Sequence, residues 1–210
     1  MKVLILGAAG GLGRCLLSQA LNRGHEVTSL IRGEPSRLGV VHDRLRILTG
    51  DALDPAAIDA AVQGQDAVIF SLGEARKGKP TTLFSDAARI LIPAMETHGV
   101  RRLLCVTGIG AGDSKGHGGF IYDRIVFPLF TKHVYRDKDR QEELIRQSRL
   151  DWVIIRPASF TNGRLRGNLR VSVNLDGVTM QLISRADAAA FILDQLTSDE
   201  YLRKTPLIGY

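Results

Sequence analysis

Cysteine, aromatic residues and long apolar runs are all scarce in this 210-residue chain, and each shortage closes off a class of function. The two cysteines, Cys15 in a helical stretch and Cys105 in a strand-like one, suit neither a disulfide framework nor a thiolate metal site. They read as small core residues. None of the five histidines (His25, His42, His98, His117, His133) shares a metal-ligand spacing such as H-x-x-x-H with another, so no metal is expected. No apolar run approaches the ~20 residues that span a bilayer, and the N-terminus lacks the charged start and apolar stretch of a secretory signal. The expectation is a soluble, cytoplasmic protein with no membrane partner. The net charge of +6 is spread along the chain without an aromatic-plus-basic module, so no nucleic-acid partner is expected either. That charge suits an anionic cofactor and substrate. With 44% hydrophobic residues the chain can bury one substantial core, which predicts a single domain over residues 1–210, monomeric or weakly dimeric.

What the chain does have is glycine in a telling place. The apolar run Val3-Leu4-Ile5-Leu6 breaks into Gly7-Ala8-Ala9-Gly10-Gly11-Leu12-Gly13 and then into the helical pattern Arg14 to Leu21. Strand, tight turn and helix in that order present unpaired amides and a partial positive charge to an anion. In the dinucleotide fingerprint the first glycine permits the turn, a middle one clears space for the pyrophosphate, and the last lets the helix sit close on the sheet. The spacing here is G-x-x-G-x-x-G. No Lys-Ser or Lys-Thr follows the last glycine, which excludes a P-loop.

Strands are predicted over 25–32, 45–49, 67–70, 102–107 and 151–156, separated by helices over 55–62, 82–98 and 135–148. Asp54 caps the first of these helices, Gly99 stops the second, and Pro93 predicts a kink in it. This alternation means an α/β, doubly wound, Rossmann-like parallel sheet. The last fifty residues depart from it. Leu169–Val173 and Val178–Met180 flank Asn174-Leu175-Asp176-Gly177 like a short hairpin, and Ser184 caps a final helix with Asp187 at its third position. Hairpin and helix are placed on the substrate side.

Arg32 ends the second strand, where an acid would hold the ribose diol of NAD and an arginine favours the 2′-phosphate of NADP. Arg37 adds a second guanidinium in the same loop, whereas Glu34 argues the other way. NADP is therefore expected over NAD.

Taken with the glycine loop, the segments Arg23–Val27, Gly50–Asp54, Gln65–Ile69 and Leu150–Pro157 resemble the atypical short-chain dehydrogenases/reductases. Within them the chain is most similar to the NADPH-dependent flavin reductase/biliverdin reductase B branch, beside NmrA-like proteins. The resemblance covers nearly the whole chain and implies roles at matching positions. Asp51 and Ala52 would lie along the adenine, Ser71, Leu72 and Gly73 under the cofactor, and Thr107 near the nicotinamide. Pro157, Ala158, Ser159 and Phe160 would flank the nicotinamide from its other side. Lys138, with Glu142, resembles the Lys-x-x-x-Glu of the group and would reach the ribose. Thr107, Ser159 and Lys138 are the polar groups expected to orient the acceptor.

The chain also departs from the family's pattern. Ala9 stands where a threonine is common, and Gly108 and Ser159 replace the serine and histidine of the flavin reductase pocket. No Tyr-x-x-x-Lys pair is present; Tyr135 has Lys138 only three positions on. Hydride transfer to a flavin or quinone tolerates this, because such an acceptor collects its proton from water. The resemblance therefore implies an NADPH-dependent reductase of a planar aromatic acceptor. The alternative is an NmrA-like dinucleotide sensor that acts through a protein partner without turnover. The stretch 108–119, with six glycines, reads as a mobile flap. Phe120 to Phe130 reads as an acceptor-pocket lining, a subunit contact or plain core.

Overall fold

The computed structural model describes residues 1–74 and 79–210, and of Arg37 only the backbone. Six parallel strands, β1 (Lys2–Leu6), β2 (Glu26–Ile31), β3 (Leu45–Thr49), β4 (Ala67–Phe70), β5 (Arg102–Val106) and β6 (Asp151–Pro157), lie in the order β3-β2-β1-β4-β5-β6. Their side chains alternate between two cores, as the period of a strand requires. Val3, Ile5, Ile69, Leu104 and Ile155 face α1 (Gly11–Asn22) and α5 (Arg185–Asp194). Leu4, Leu6, Phe70, Cys105 and Ile154 face α2 (Pro55–Val62), α3 (Leu83–Thr97) and α4 (Lys132–Gln147). Both faces are covered, so both alternating sets are apolar.

The chain steps outward from β1 to β3, then returns to the other side of β1 with β4. This reversal opens a crevice beyond the carboxyl ends of β1 and β4, where open α/β sheets bind ligands. Local chemistry supports the elements that frame it. Asp54 accepts from the Ala56 amide at 3.0 Å and Pro55 occupies the first helical position of α2. The α3 helix runs unbroken through Pro93.

The C-terminal part holds the small antiparallel pair expected there, but with a different partner. The sheet continues from β6 to β10 (Leu207–Gly209), which pairs antiparallel with β8 (Arg170–Ser172). Val178–Met180 is not a strand: the Val178 amide turns back to Leu175 O at 3.0 Å and the Met180 amide donates to His117 O at 3.0 Å. A hairpin between the two halves is thereby replaced by a long-range pairing. A separate parallel pair, β7 (Ser159–Thr161) with β9 (Leu182–Ser184), stands beside the crevice.

Two more segments differ from expectation. The glycine-rich loop is not a free flap, because Ile109, Ala111 and Ser114 are buried and the loop is tied down at several points. The Gly112 amide donates to Asp139 Oδ1 at 2.8 Å, Lys115 pairs with Asp139 at 2.5 Å, and His117 Nδ1 meets Val178 O at 2.7 Å. After it, Tyr122–Thr131 winds as a π-helix that leads directly into α4, with Lys132 N donating to Phe127 O five residues back. Pro128 sits inside that turn without an amide to offer. None of its ten residues is fully buried, so this stretch is not plain core.

Candidate cofactor and acceptor site

Each glycine of the loop after β1 has a separate steric reason in the structure. At Gly7, φ is +92° and a Cβ would lie 2.3 Å from Ser71 O, so the loops after β1 and β4 touch only because this residue has no side chain. At Gly13 a Cβ would lie 2.0 Å from Gly7 O, which fixes α1 tightly against its own loop. At Gly10 a Cβ would lie 3.3 Å from Gly7 O, a tight contact but the mildest of the three. Gly11 differs from all three: its Cβ would strike the Arg185 Nε at 2.7 Å. Its missing side chain makes space for an arginine. Gly10 caps α1 without a side-chain hydrogen bond and the first turn holds no acid, so the first-turn amides meet no anion of their own helix.

A cavity of about 330 Å³ opens in front of this turn. Gly7, Ala8, Ala9 and Gly10 form one wall, Arg32 with Asp51 and Ala52 another, and Leu72, Gly73 and Leu83 a third. Gly11, Leu12 and Gly13 begin α1 behind it, and Ser71 touches Gly7 from the loop after β4. Arg32 is exposed at the rim, with its Nη1 4.0 Å from Asp51 Oδ2. Asp51 also accepts from the Leu53 amide at 3.0 Å, which holds its carboxylate in the turn. The side chain of Arg37 lies outside the described residues. The walls fit a dinucleotide: bare backbone and helix amides at the centre, an arginine at one end, and an apolar floor beneath.

The expected nicotinamide end is built differently. Thr107 follows β5 but is only 6% exposed, and its Oγ1 donates to Glu142 Oε1 at 2.7 Å. Lys138 is buried as well, with Nζ 3.1 Å from Val106 O and 2.8 Å from Thr107 O and 4.8 Å above the Phe84 ring. Burial lowers its pKa to about 8. Its ammonium ties down the end of β5 instead of facing either cavity. The expected role for Lys138 is at the ribose or the acceptor; the contacts it makes in this structure position the strand end. Glu142 is the hub of this layer, accepting also from Arg156 Nε at 3.1 Å, Arg156 Nη2 at 2.7 Å and Arg146 Nη2 at 2.8 Å. Arg156 reaches on to Asp113 in the glycine-rich loop. Burial would raise the Asp113 pKa, but the Arg156 guanidinium outweighs it and the net shift is downward.

Ser159 does face a cavity. Together with Tyr122, Gln181, Leu182, Val126 and the segment Gly118–Ile121 it lines a space of about 370 Å³. Pro157 and Ala158 lie buried just before it, while Phe160 is partly buried behind the loop. Two phenols bound the region between this cavity and Thr107. The Tyr135 hydroxyl occupies the volume next to Gly108, 2.5 Å from where a Cβ at 108 would lie. Burial pushes both phenols above their ordinary pKa, so both are neutral donors. The sequence offers no lysine partner at the required spacing for Tyr135 and no signal for its approach to Gly108. A cleft of about 380 Å³ at the opposite end, near Lys2, Thr28, Arg44 and Gln65, lies at the amino ends of the strands, away from the helix N-terminus that would hold an anion. Among the described residues no cluster of His, Cys, Asp or Glu could hold a metal ion, and no helix is long and apolar enough to cross a membrane.

Comparison with known proteins agrees with this geometry. The NAD(P)H-binding family profile matches residues 7–199. A protein of Bacillus subtilis called YwnB is 29% identical over 96% of this chain and 94% of its own. The structure of ChuY from Escherichia coli, described as an anaerobilin reductase, is 25% identical, with a TM-score of 0.83 over 100% of this chain and 97% of that one. A short-chain dehydrogenase/reductase from Veillonella parvula, solved with NADP, shares the fold at 18% identity and a TM-score of 0.84, covering 100% of this chain and 94% of its own. The chain thus belongs to the NAD(P)H-binding family and is an oxidoreductase.

Proposed function

We propose that the protein is an NADPH-dependent reductase that delivers hydride to a planar aromatic acceptor such as a flavin or a quinone. The observation that carries this reading is the second cavity, at Ser159, beside the strand ends expected to hold the nicotinamide. Its walls are the apolar Phe120, Ile121, Val126 and Leu182 with a few polar groups, Tyr122, Ser159 and Gln181, among them. Such a lining suits a flat ring system with edge heteroatoms better than a sugar.

A reduced nicotinamide bound at the ends of β5 and β6 would supply the hydride. The chain's own residues bind, orient and exclude water. The amides of the first turn of α1 would hold the pyrophosphate, and Arg32 at the rim would favour the 2′-phosphate of NADP over the diol of NAD. Ser159 and Tyr122 would fix the edge of the acceptor. The tie between Lys138 and the carbonyls of Val106 and Thr107, with the brace on Glu142, would keep the strand ends rigid, which matters because a misplacement of 1 Å costs on the order of 10²-fold in rate.

The test is steady-state oxidation of NADPH with FMN, riboflavin and small quinones under anaerobic conditions. Turnover with at least one of them is expected. Tight NADPH binding without turnover for any acceptor would overturn the reading and favour a dinucleotide sensor that acts through a partner.

A further inference from the structure

The geometry points to Arg185 as the second half of the pyrophosphate site, a cation brought from the C-terminal lobe to the mouth of the glycine loop. Resting on the dinucleotide reading of that loop, the argument starts from where the side chain lies. Arg185 opens α5, far from β1 in sequence, yet its Nε fills the volume a side chain at Gly11 would take, 2.7 Å from the Cβ position. Gly11 is itself the first residue of α1. A full positive charge therefore stands beside the partial positive charge of a helix N-terminus.

That juxtaposition is unfavourable unless an anion joins the two. No anion of the protein does so. Among the described residues no carboxylate pairs with Arg185, and its Nη1 donates to the neutral Asn162 Oδ1 at 2.7 Å. Asp187, two residues on, is taken up elsewhere by the hydroxyls of Ser184 and Tyr210 and the amides of Arg166 and Gly167. No acid occupies the first turn of α1.

The side chain is also held in place. Its guanidinium carbon lies 5.2 Å from the centre of the Phe160 ring, and Asn162 restrains its tip. Ser184 caps α5 just before it, accepting from the Asp187 amide at 3.0 Å, so the helix start that carries Arg185 is fixed. A preorganised guanidinium beside the first residue of α1 adds a charge-assisted donor to the helix amides, a pairing that would suit the two phosphates of a dinucleotide bridge. Because Phe160 lies in β7 and Asn162 directly follows it, and β7 also carries Ser159, cofactor binding through Arg185 would be linked to the wall of the acceptor cavity.

Replacing Arg185 by Gln removes the charge and keeps an amide able to meet Asn162. NADPH affinity, read by nicotinamide fluorescence, should fall by about tenfold or more. Adenosine 2′-phosphate, which lacks the pyrophosphate, should displace NADPH with an unchanged inhibition constant. Arg185→Lys should stay within about threefold of the parent protein, because it restores the charge without the planar fork. Unchanged NADPH affinity in Arg185→Gln, or an equal loss for adenosine 2′-phosphate, would overturn the proposal. Failure of the unaltered protein to bind NADPH is a different result, and it would overturn the dinucleotide reading itself.

Discussion

The two halves of the crevice are built by opposite means. The nucleotide half, around β1, α1 and β4, is built from apolar strands and bare backbone, with Gly7 and Gly13 in contact with carbonyl oxygens. The acceptor half, around β5, α4 and β6, is braced by ions. Among the described residues every buried charged side chain lies between Asp137 and Asp187: Asp137, Lys138, Glu142, Arg156 and Asp187. Backbone can hold a phosphate because every residue supplies the same amide. Strand ends fixed by side chains depend on buried ions, which hold them only when each has partners.

This contrast can be broken by mutation. The largest effect is expected at the hub: Glu142→Gln removes a buried carboxylate that accepts from Thr107, Arg146 and Arg156, and should cost about 3–5 kcal/mol in urea unfolding. Asp51→Asn on the nucleotide side should stay within about 0.5 kcal/mol. Equal losses would erase the distinction between the halves.

Gly13→Ala probes the other half, since its Cβ would press on Gly7 O and Ala8 Cα. A loss of about 1–3 kcal/mol is expected in the same measurement, together with a fall in NADPH affinity, because the loop must move to make room. Full affinity would show that the contact is dispensable.

Asp187→Asn sharpens the comparison through pH. Burial alone would raise the pKa of Asp187, but the hydroxyls of Ser184 and Tyr210 and the amides of Gly167 and Arg166 outweigh it, and the net shift is downward. A lowered carboxylate pKa contributes stability that is present above the unfolded value of about 3.9 and is lost as pH falls through the folded value. The substitution should therefore cost about 1–2 kcal/mol at neutral pH and flatten the acid limb of the stability profile below about pH 4. An unchanged limb would mean that Asp187 titrates as it does in the unfolded chain.

The smallest effect on folding is expected at Arg32. Its exposed side chain should leave stability unchanged on replacement by Ala, while NADPH binding weakens about tenfold and NADH binding stays the same. If the two cofactors respond equally in a titration, Arg32 does not read the 2′-phosphate.

The same division explains what was legible in the sequence. The parallel sheet, the capped helix at Asp54 and the glycine turn follow from local patterns of apolar spacing and backbone freedom. The pairing of β8 with β10 was hidden because Leu207–Gly209 is too short to announce a strand, while Val178–Met180 looked like one. The π-helix over Tyr122–Thr131 has no periodicity that distinguishes it from an α-turn. Lys138 was visible as a charge on a helix, but its direction was not; only the fold turns it onto the carbonyls of β5. Arg185 was hidden for the same reason, since its role depends on Gly11, which lies at the other end of the chain.

The most direct measurement is a crystal structure of the protein with NADP and a planar acceptor analogue. The expected result is pyrophosphate on the first-turn amides of α1 beside Arg185, the nicotinamide between Thr107 and the segment 157–160, and the analogue against Ser159 and Tyr122. A nicotinamide bound away from the Ser159 cavity, or an analogue bound elsewhere while that cavity stays empty, would contradict the account.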